Sequence, residues 1–215
     1  MLPTFAIALA QYGGPQLGLP GVDLTQVLHA EQSLELDAPL PMAGTVEVTR
    51  TVTDVFDKGS GKLVVSTWDA VGDASFRTRS SVFIRGAGGF GGARGTSTRV
   101  AFPDRAPDVE HRYRTSADQA LRYRRTGDEN PLHWDPEFAA RGGFPRPILH
   151  GLATYGISVR LLGVDPVSVA GRFTQPVFPG DELVVSAWMA DGEVLFRTSA
   201  EGRLAIDDGR AVPRS

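Results

Sequence analysis

The apolar positions of the chain follow two periods in turn, and that order occurs twice. Leu2, Phe5, Ala6 and Leu9 fall on one side of a helical projection, with Pro3 suited to a first turn, so the sequence opens inside a helix. Strand patterning follows. Residues 27–36 read as a strand. Residues 45–56 alternate β-branched with polar positions (Val46, Val48, Thr49, Val52, Thr53, Val55), which marks a half-buried antiparallel strand. Lys58-Gly59-Ser60-Gly61 is hairpin chemistry, 63–68 is the return strand, and 76–85 is another. The helical period returns after Pro147 in Ile148, Leu149, Leu152, Tyr155, Val159 and Leu162, one face of a mostly buried helix. Strands are then expected at 172–177, 182–189, 194–199 and 204–212, divided by turns at Pro179-Gly180-Asp181 and Asp191-Gly192.

Helix first and sheet afterwards, twice over, predicts a duplicated α+β unit with antiparallel sheet. The halves are placed at 1–102 and 113–215 with a linker at 103–112, because Pro103 and Pro107 break the pattern there. The letters repeat as well: LVVSTW at Leu63 recurs as LVVSAW at Leu183, and Phe-Arg-Thr recurs at Phe76 and Phe196, both 120 positions apart. Aligning the proline and glycine turns instead, Pro39 to Gly44 with Pro176 to Gly180, sets LVVSAW on the strand that begins near Thr45. Turns fix strand order, so the second register is preferred. Residues 13–21 read as a loop rich in glycine and proline. Residues 86–91, GAGGFG, satisfy the dinucleotide pattern G-x-G-x-x-G, yet no βαβ unit surrounds them and no amphipathic helix follows. A glycine loop is the reading.

At 215 residues the chain is long enough to bury a sizeable core, as one large domain or two small ones. A net charge of -3 argues against a nucleic-acid partner. The lack of cysteine excludes disulfides, thiol nucleophiles and cysteine-ligated zinc. The first ten residues are apolar but carry no basic leader and are too short to span a membrane, and no later run approaches membrane length. The carboxyl end, Val212-Pro213-Arg214-Ser215, does not match the peroxisomal Ser-Lys-Leu address. A soluble cytoplasmic protein with no membrane partner is expected.

Most of the candidate chemistry lies between Tyr123 and Gly156. Gly127-Asp128 is turn chemistry and Pro131 removes a backbone donor, so 128–133 is expected to be an irregular loop, preceded by a strand through 121–125. Asp135-Pro136 starts a short helix that Gly142-Gly143 ends, and His150-Gly151 sits near the amino end of the buried helix. A loop carboxylate, a loop imidazole and free helix-terminal N–H groups thus come together. These are the groups needed to move protons beside a carbonyl whose oxygen gathers negative charge. Glycine at 151 lets a ligand approach its amide, and the site reads as acid/base chemistry on a thioester or similar carbonyl. Each residue also has an ordinary account: Asp128 as a turn former, His133 as a packing histidine, Asn130 in an Asx turn, and His150 in packing or capping. The arginines of 121–125, Arg125 among them, and Arg146 suit phosphate groups or a solvated face equally. Arg141 serves the end of its short helix.

Gly127 to Pro136 and Pro147 to Leu152 resemble the two linked pieces of the hydratase-2 motif of MaoC-like (R)-specific enoyl-CoA hydratases, in order and at a plausible spacing. Residues 80–92, SSVFIRGAGGFGG, look like part of the same family's non-catalytic half. The resemblance implies a double hot dog, two antiparallel sheets each wrapped around a central helix, with the first half incomplete at its amino end. It also implies reversible hydration of a trans-2-enoyl-CoA to the (3R)-3-hydroxyacyl product. Asp128, His133 and Asn130 would serve catalysis with the Gly151 amide, and His150, Arg125 and Arg146 would meet the substrate. No metal or other cofactor is expected, and Asp128, His133 and His150 are not read as a metal site. The expected partners are an acyl-CoA or acyl-carrier-protein thioester and a second copy in a homodimer. The first half would wall the acyl chain. Two other readings stand beside it: a 3-hydroxyacyl-carrier-protein dehydratase of fatty-acid synthesis, and a non-catalytic acyl-thioester binding module.

Overall fold

The structure, a computed structural model, describes residues 1–14 and 21–214. The glycine- and proline-rich loop expected at 13–21 therefore lies mostly outside the described residues. The first half contains α1 (Phe5–Tyr12), β1 (Val27–Leu36), β2 (Val46–Asp57), β3 (Gly61–Gly72) and β4 (Phe76–Arg85). Then come β5 (Val109–Arg114), α2 (Gln119–Arg124), α3 (Pro136–Arg141), α4 (Gly151–Leu161), β6 (Pro166–Phe173), β7 (Glu182–Ala190), β8 (Glu193–Ala200) and β9 (Arg203–Pro213).

The strands form one antiparallel sheet in the order β2-β3-β4-β1-β6-β9-β8-β7-β5. The α+β class stands, but the two separate sheets expected from the resemblance are joined into one. The join is β1 against β6, in register from Glu31 opposite Arg172 to Glu35 opposite Ser168. Each half would otherwise end in a row of unpaired backbone groups, and pairing the two rows satisfies both. Fully buried Leu34 of β1 faces nearly buried Val169 of β6 across this seam. One cluster takes Ala6, Ile7 and Ala10 from α1 and Leu152, Tyr155 and Val159 from α4, with Leu34, Val169, Phe196 and Ile206 beneath them. The halves share a core.

The strand order also decides between the two repeat registers. Moving outward from the seam, β1, β4, β3 and β2 match β6, β9, β8 and β7, so LVVSAW in β7 is the counterpart of β2, as the turns indicated. The 120-residue offset would equate β7 with β3, and the topology contradicts it.

Four local expectations are corrected. The segment read as linker up to residue 112 is already strand from Val109, where β5 pairs with β7. The strand expected through 121–125 is the helix α2: Ala120 and Tyr123 turn inward three residues apart, and Asp118 pairs with Arg122 at 2.9 Å, four residues on. The strand expected at 172–177 is Pro166–Phe173, because the segment through Pro176 and Pro179 lacks ladder donors and bends away. The buried helix begins at Gly151, while Ile148 and Leu149 lie ahead of it, their N–H groups bonded to the carbonyls of Leu132 and Val177.

The glycine loop after β4 holds a carboxylate of the chain itself. Asp57, at the end of β2, accepts from the N–H groups of Gly59, Gly89 and Gly91 at 2.8–2.9 Å. Gly89 and Gly91 have φ of 80° and 78°, a left-handed backbone that glycine adopts freely. These backbone donors, Gly89 first, hold the Asp57 carboxyl down to about 2. A folded pKa below the ordinary 3.8 contributes stability above that value and loses it as pH falls towards about 2. Asp57→Ala is expected to speed amide exchange at Gly89 and Gly91 on the order of tenfold or more at neutral pH while leaving β6–β9 unchanged, as read by hydrogen exchange.

Candidate active site

The loop between α2 and α3 is shaped by three residues. Gly127 has φ of 109°, and a Cβ there would lie 2.7 Å from the Cβ of Tyr12, so both backbone and neighbour require glycine. Asp128 Oδ1 accepts from the N–H of Asn130 at 3.2 Å, and Asn130 Oδ1 accepts from that of Leu132 at 3.1 Å. Asn130 thereby caps a single tight turn, Pro131–His133, which ends at His133. Its side-chain oxygen serves the loop, and the residue also lines the adjoining cavity.

His133 is mostly buried, and its Nδ1 lies 2.9 Å from the carbonyl oxygen of Ile148. A carbonyl only accepts, so Nδ1 carries the proton and Nε2 of the neutral ring keeps its lone pair. Burial pushes the His133 pKa down, against a smaller upward pull from the charge of Asp128. His150 precedes α4, with its ring 1% exposed. It stacks on His133 at 3.7 Å between centroids and meets Tyr123 at 4.8 Å. Burial, and then the neighbouring His133, push its pKa down. Neither ring nitrogen has a hydrogen-bond partner among the described residues, and Nε2 stands 4.0 Å from Asp128 Oδ2.

A cavity of about 1150 Å³ runs between the halves. Its wall includes Asp128, His133, Gly151 and Phe173 from the second half and Leu9, Val48 and Trp68 from the first. Gly151 opens α4, where the first amides have no partner within the helix. A Cβ at this position would come within 3.2 Å of the Phe173 ring. Asp128, His133 and Gly151 therefore share one surface.

The other expected substrate contacts are placed differently. The His150 ring lies behind His133 and is absent from the cavity wall. Arg125 is exposed at the end of α2. Arg146 donates to the carbonyl of Pro179 at 2.9 Å and lies over the Phe178 ring, which ties it to the bend before β7. Asp128, His133 and His150 do bring potential ligand atoms within 4.8 Å of one another. The two imidazoles, however, meet face to face at 27° rather than converging edge-on, which favours a neutral stacked pair over a metal-binding one.

Two residues of this site lay outside the sequence reading. Tyr12, at the end of α1, donates its hydroxyl to Asp128 Oδ2 at 2.9 Å. His29 of β1 lines the cavity, with Nε2 2.8 Å from the Ser80 hydroxyl and its ring 4.7 Å from Phe173. Burial lowers its pKa to about 4, so it too is neutral. A tyrosine closing an otherwise apolar helical stripe was the one visible signal for Tyr12; His29 carried none.

Known proteins resemble the chain along nearly its whole length. Residues 99–208 match the MaoC like domain, and residues 1–86 match the MFE-2 hydratase 2 N-terminal domain. The 3-hydroxyacyl-thioester dehydratase Y of Mycobacterium tuberculosis is 40% identical over 97% of this chain and 80% of its own. Enoyl-CoA hydratase ChsH3 of the same organism is 43% identical over 87% of this chain and 71% of its own. The crystal structure of a MaoC-like dehydratase from Phytophthora capsici superposes with a TM-score of 0.86 at 32% identity, covering 100% of this chain and 82% of that one. Sequence and overall superposition thus agree, and the chain belongs to the MaoC-like family.

Proposed function

We propose that the protein adds water reversibly to a trans-2-enoyl-CoA to give the (3R)-3-hydroxyacyl-CoA. The observation that carries this reading is the placement of Asp128 and His133 on one loop, in one cavity, with a carboxylate oxygen of the first and a ring nitrogen of the second within 4.8 Å of each other. A water hydrogen-bonded to both spans up to roughly 5.6 Å, twice an ordinary bond. Its oxygen bonds to C3 as one proton passes to the pair. The electrons of the C2–C3 double bond move towards the thioester oxygen, which the Gly151 amide and the amino end of α4 stabilise. A proton from the pair then reaches C2, and the added atoms sum to one water. The Nε2 lone pair of neutral His133 suits it to accept a proton.

Incubation with crotonyl-CoA should remove the enoyl absorbance and yield the (3R) product. Saturable binding without loss of absorbance would instead make the chain a thioester-binding module. The name of the first relative above favours one alternative, the same chemistry run as dehydration. Comparing rates on coenzyme A and acyl-carrier-protein thioesters separates the two. A homodimer and a cytoplasmic setting belong to the same proposal, read by sedimentation and by fractionation. Among the described residues no helix is long and apolar enough to cross a membrane.

The pH profile provides a further check. With the folded pKa of His133 below 6.5, the ring stays neutral at pH 6.5 and is lost as a proton acceptor only at lower pH. The acid limb of kcat/KM that belongs to His133 is expected below 6.5, and a midpoint above 7 would contradict the assignment.

A further inference from the structure

The first half was expected only to wall the acyl chain, yet it supplies a hydrogen bond to the carboxylate at the centre of the site. Tyr12 lies at the last position of α1, 116 residues from Asp128, and its hydroxyl donates to Asp128 Oδ2 at 2.9 Å. Two further observations fix the contact. The Tyr12 Cβ sits where Gly127 leaves room for it, 2.7 Å from a Cβ built on that glycine, so the loop backbone and the tyrosine are fitted to each other. The other carboxylate oxygen, Oδ1, is held by the N–H of Asn130. Both oxygens of Asp128 are thus oriented, one by its own loop and one by the opposite half.

We propose that Tyr12 is a positioning residue, whose phenol sets the orientation of the Asp128 carboxylate towards the water shared with His133. This rests on the reading of Asp128 as part of the acid/base pair. The hydroxyl remains a donor across the working range, because burial and the Asp128 charge keep the phenol protonated. A carboxylate with one donor on each oxygen loses rotational freedom and presents a fixed lone pair, and small misplacements of a reacting group are costly. The charge of Asp128 also acts on Tyr123 of α2, His133 of the same loop, His150 at the start of α4 and His29 of β1.

Tyr12→Phe deletes the hydroxyl and keeps the ring against Gly127. With crotonyl-CoA, kcat is expected to fall on the order of tenfold to a hundredfold, with KM within about twofold of the parent, since the lost bond acts on the reacting group rather than on substrate binding. Unchanged circular dichroism and melting temperature, with kcat lowered at a steady KM, separate this from a merely structural role, which would not lower kcat alone. Parental kcat in Tyr12→Phe, alongside an inactive Asp128→Asn, would overturn the role of Tyr12 and leave the acid/base pair intact. An active Asp128→Asn would overturn the pair itself, and the role of Tyr12 with it.

Discussion

Asp128→Asn leaves a folded chain whose hydration of crotonyl-CoA falls by on the order of a thousandfold or more. Asparagine matches aspartate in size, and its side-chain oxygen can still accept from Tyr12 or from the N–H of Asn130, so the loop keeps its form. What it cannot do is take a proton. The hydration needs a proton removed from water as oxygen bonds to C3, and His133 alone then has to serve both that step and the return of a proton to C2. Single-turnover loss of enoyl absorbance measures the chemical step directly. Turnover within about tenfold of the parent would remove Asp128 from the reaction.

Leu34→Ala is expected to cost about 3 kcal/mol, because a fully buried leucine leaves a cavity as well as losing its own transfer energy. That is a large share of the roughly 5–15 kcal/mol that holds a domain together. Leu34 occupies the seam between β1 and β6, in a cluster that contains residues from both α1 and α4. Urea unfolding followed by tryptophan fluorescence and by circular dichroism should therefore move to lower urea as one transition. Trp68 lies in the first half and Trp188 in the second, so both report. Separate transitions for the two probes, or a loss below about 1 kcal/mol, would show that the halves do not share their core.

The parts legible in the sequence were those with local causes. The short helix α3 begins and ends where Asp135-Pro136 and Gly142 put it, with Asp135 accepting from the N–H groups of Glu137 and Phe138. Alternation and turn chemistry placed β1 and β4 at their observed bounds. Leu121 to Arg125 misled because its charged residues mask the helical period, which shows only when Ala120 and Tyr123 are seen to pack inward. The linked motif brought Asp128, His133 and Gly151 to one surface as expected. The stacking of His150 behind His133, the fixing of Arg146 by Pro179 and the bond from Tyr12 depend on chain segments far apart in sequence, and no spacing encodes them. The same holds for the seam, since either half alone would pass for a complete sheet pattern.

The coil from 87 to 108 is mostly exposed and carries no strand or helix, although Arg99 ties it to Asp207 at 2.7 Å. Backbone continuity there does not unite the halves; the ladder of β1 with β6 and the shared apolar cluster do. Between the glycines that hold Asp57 and the start of β5, the coil is a tether that raises the effective concentration of one unit beside the other. A protease nick within it would leave two fragments still clasped edge to edge, with the tyrosine on one and the aspartate on the other.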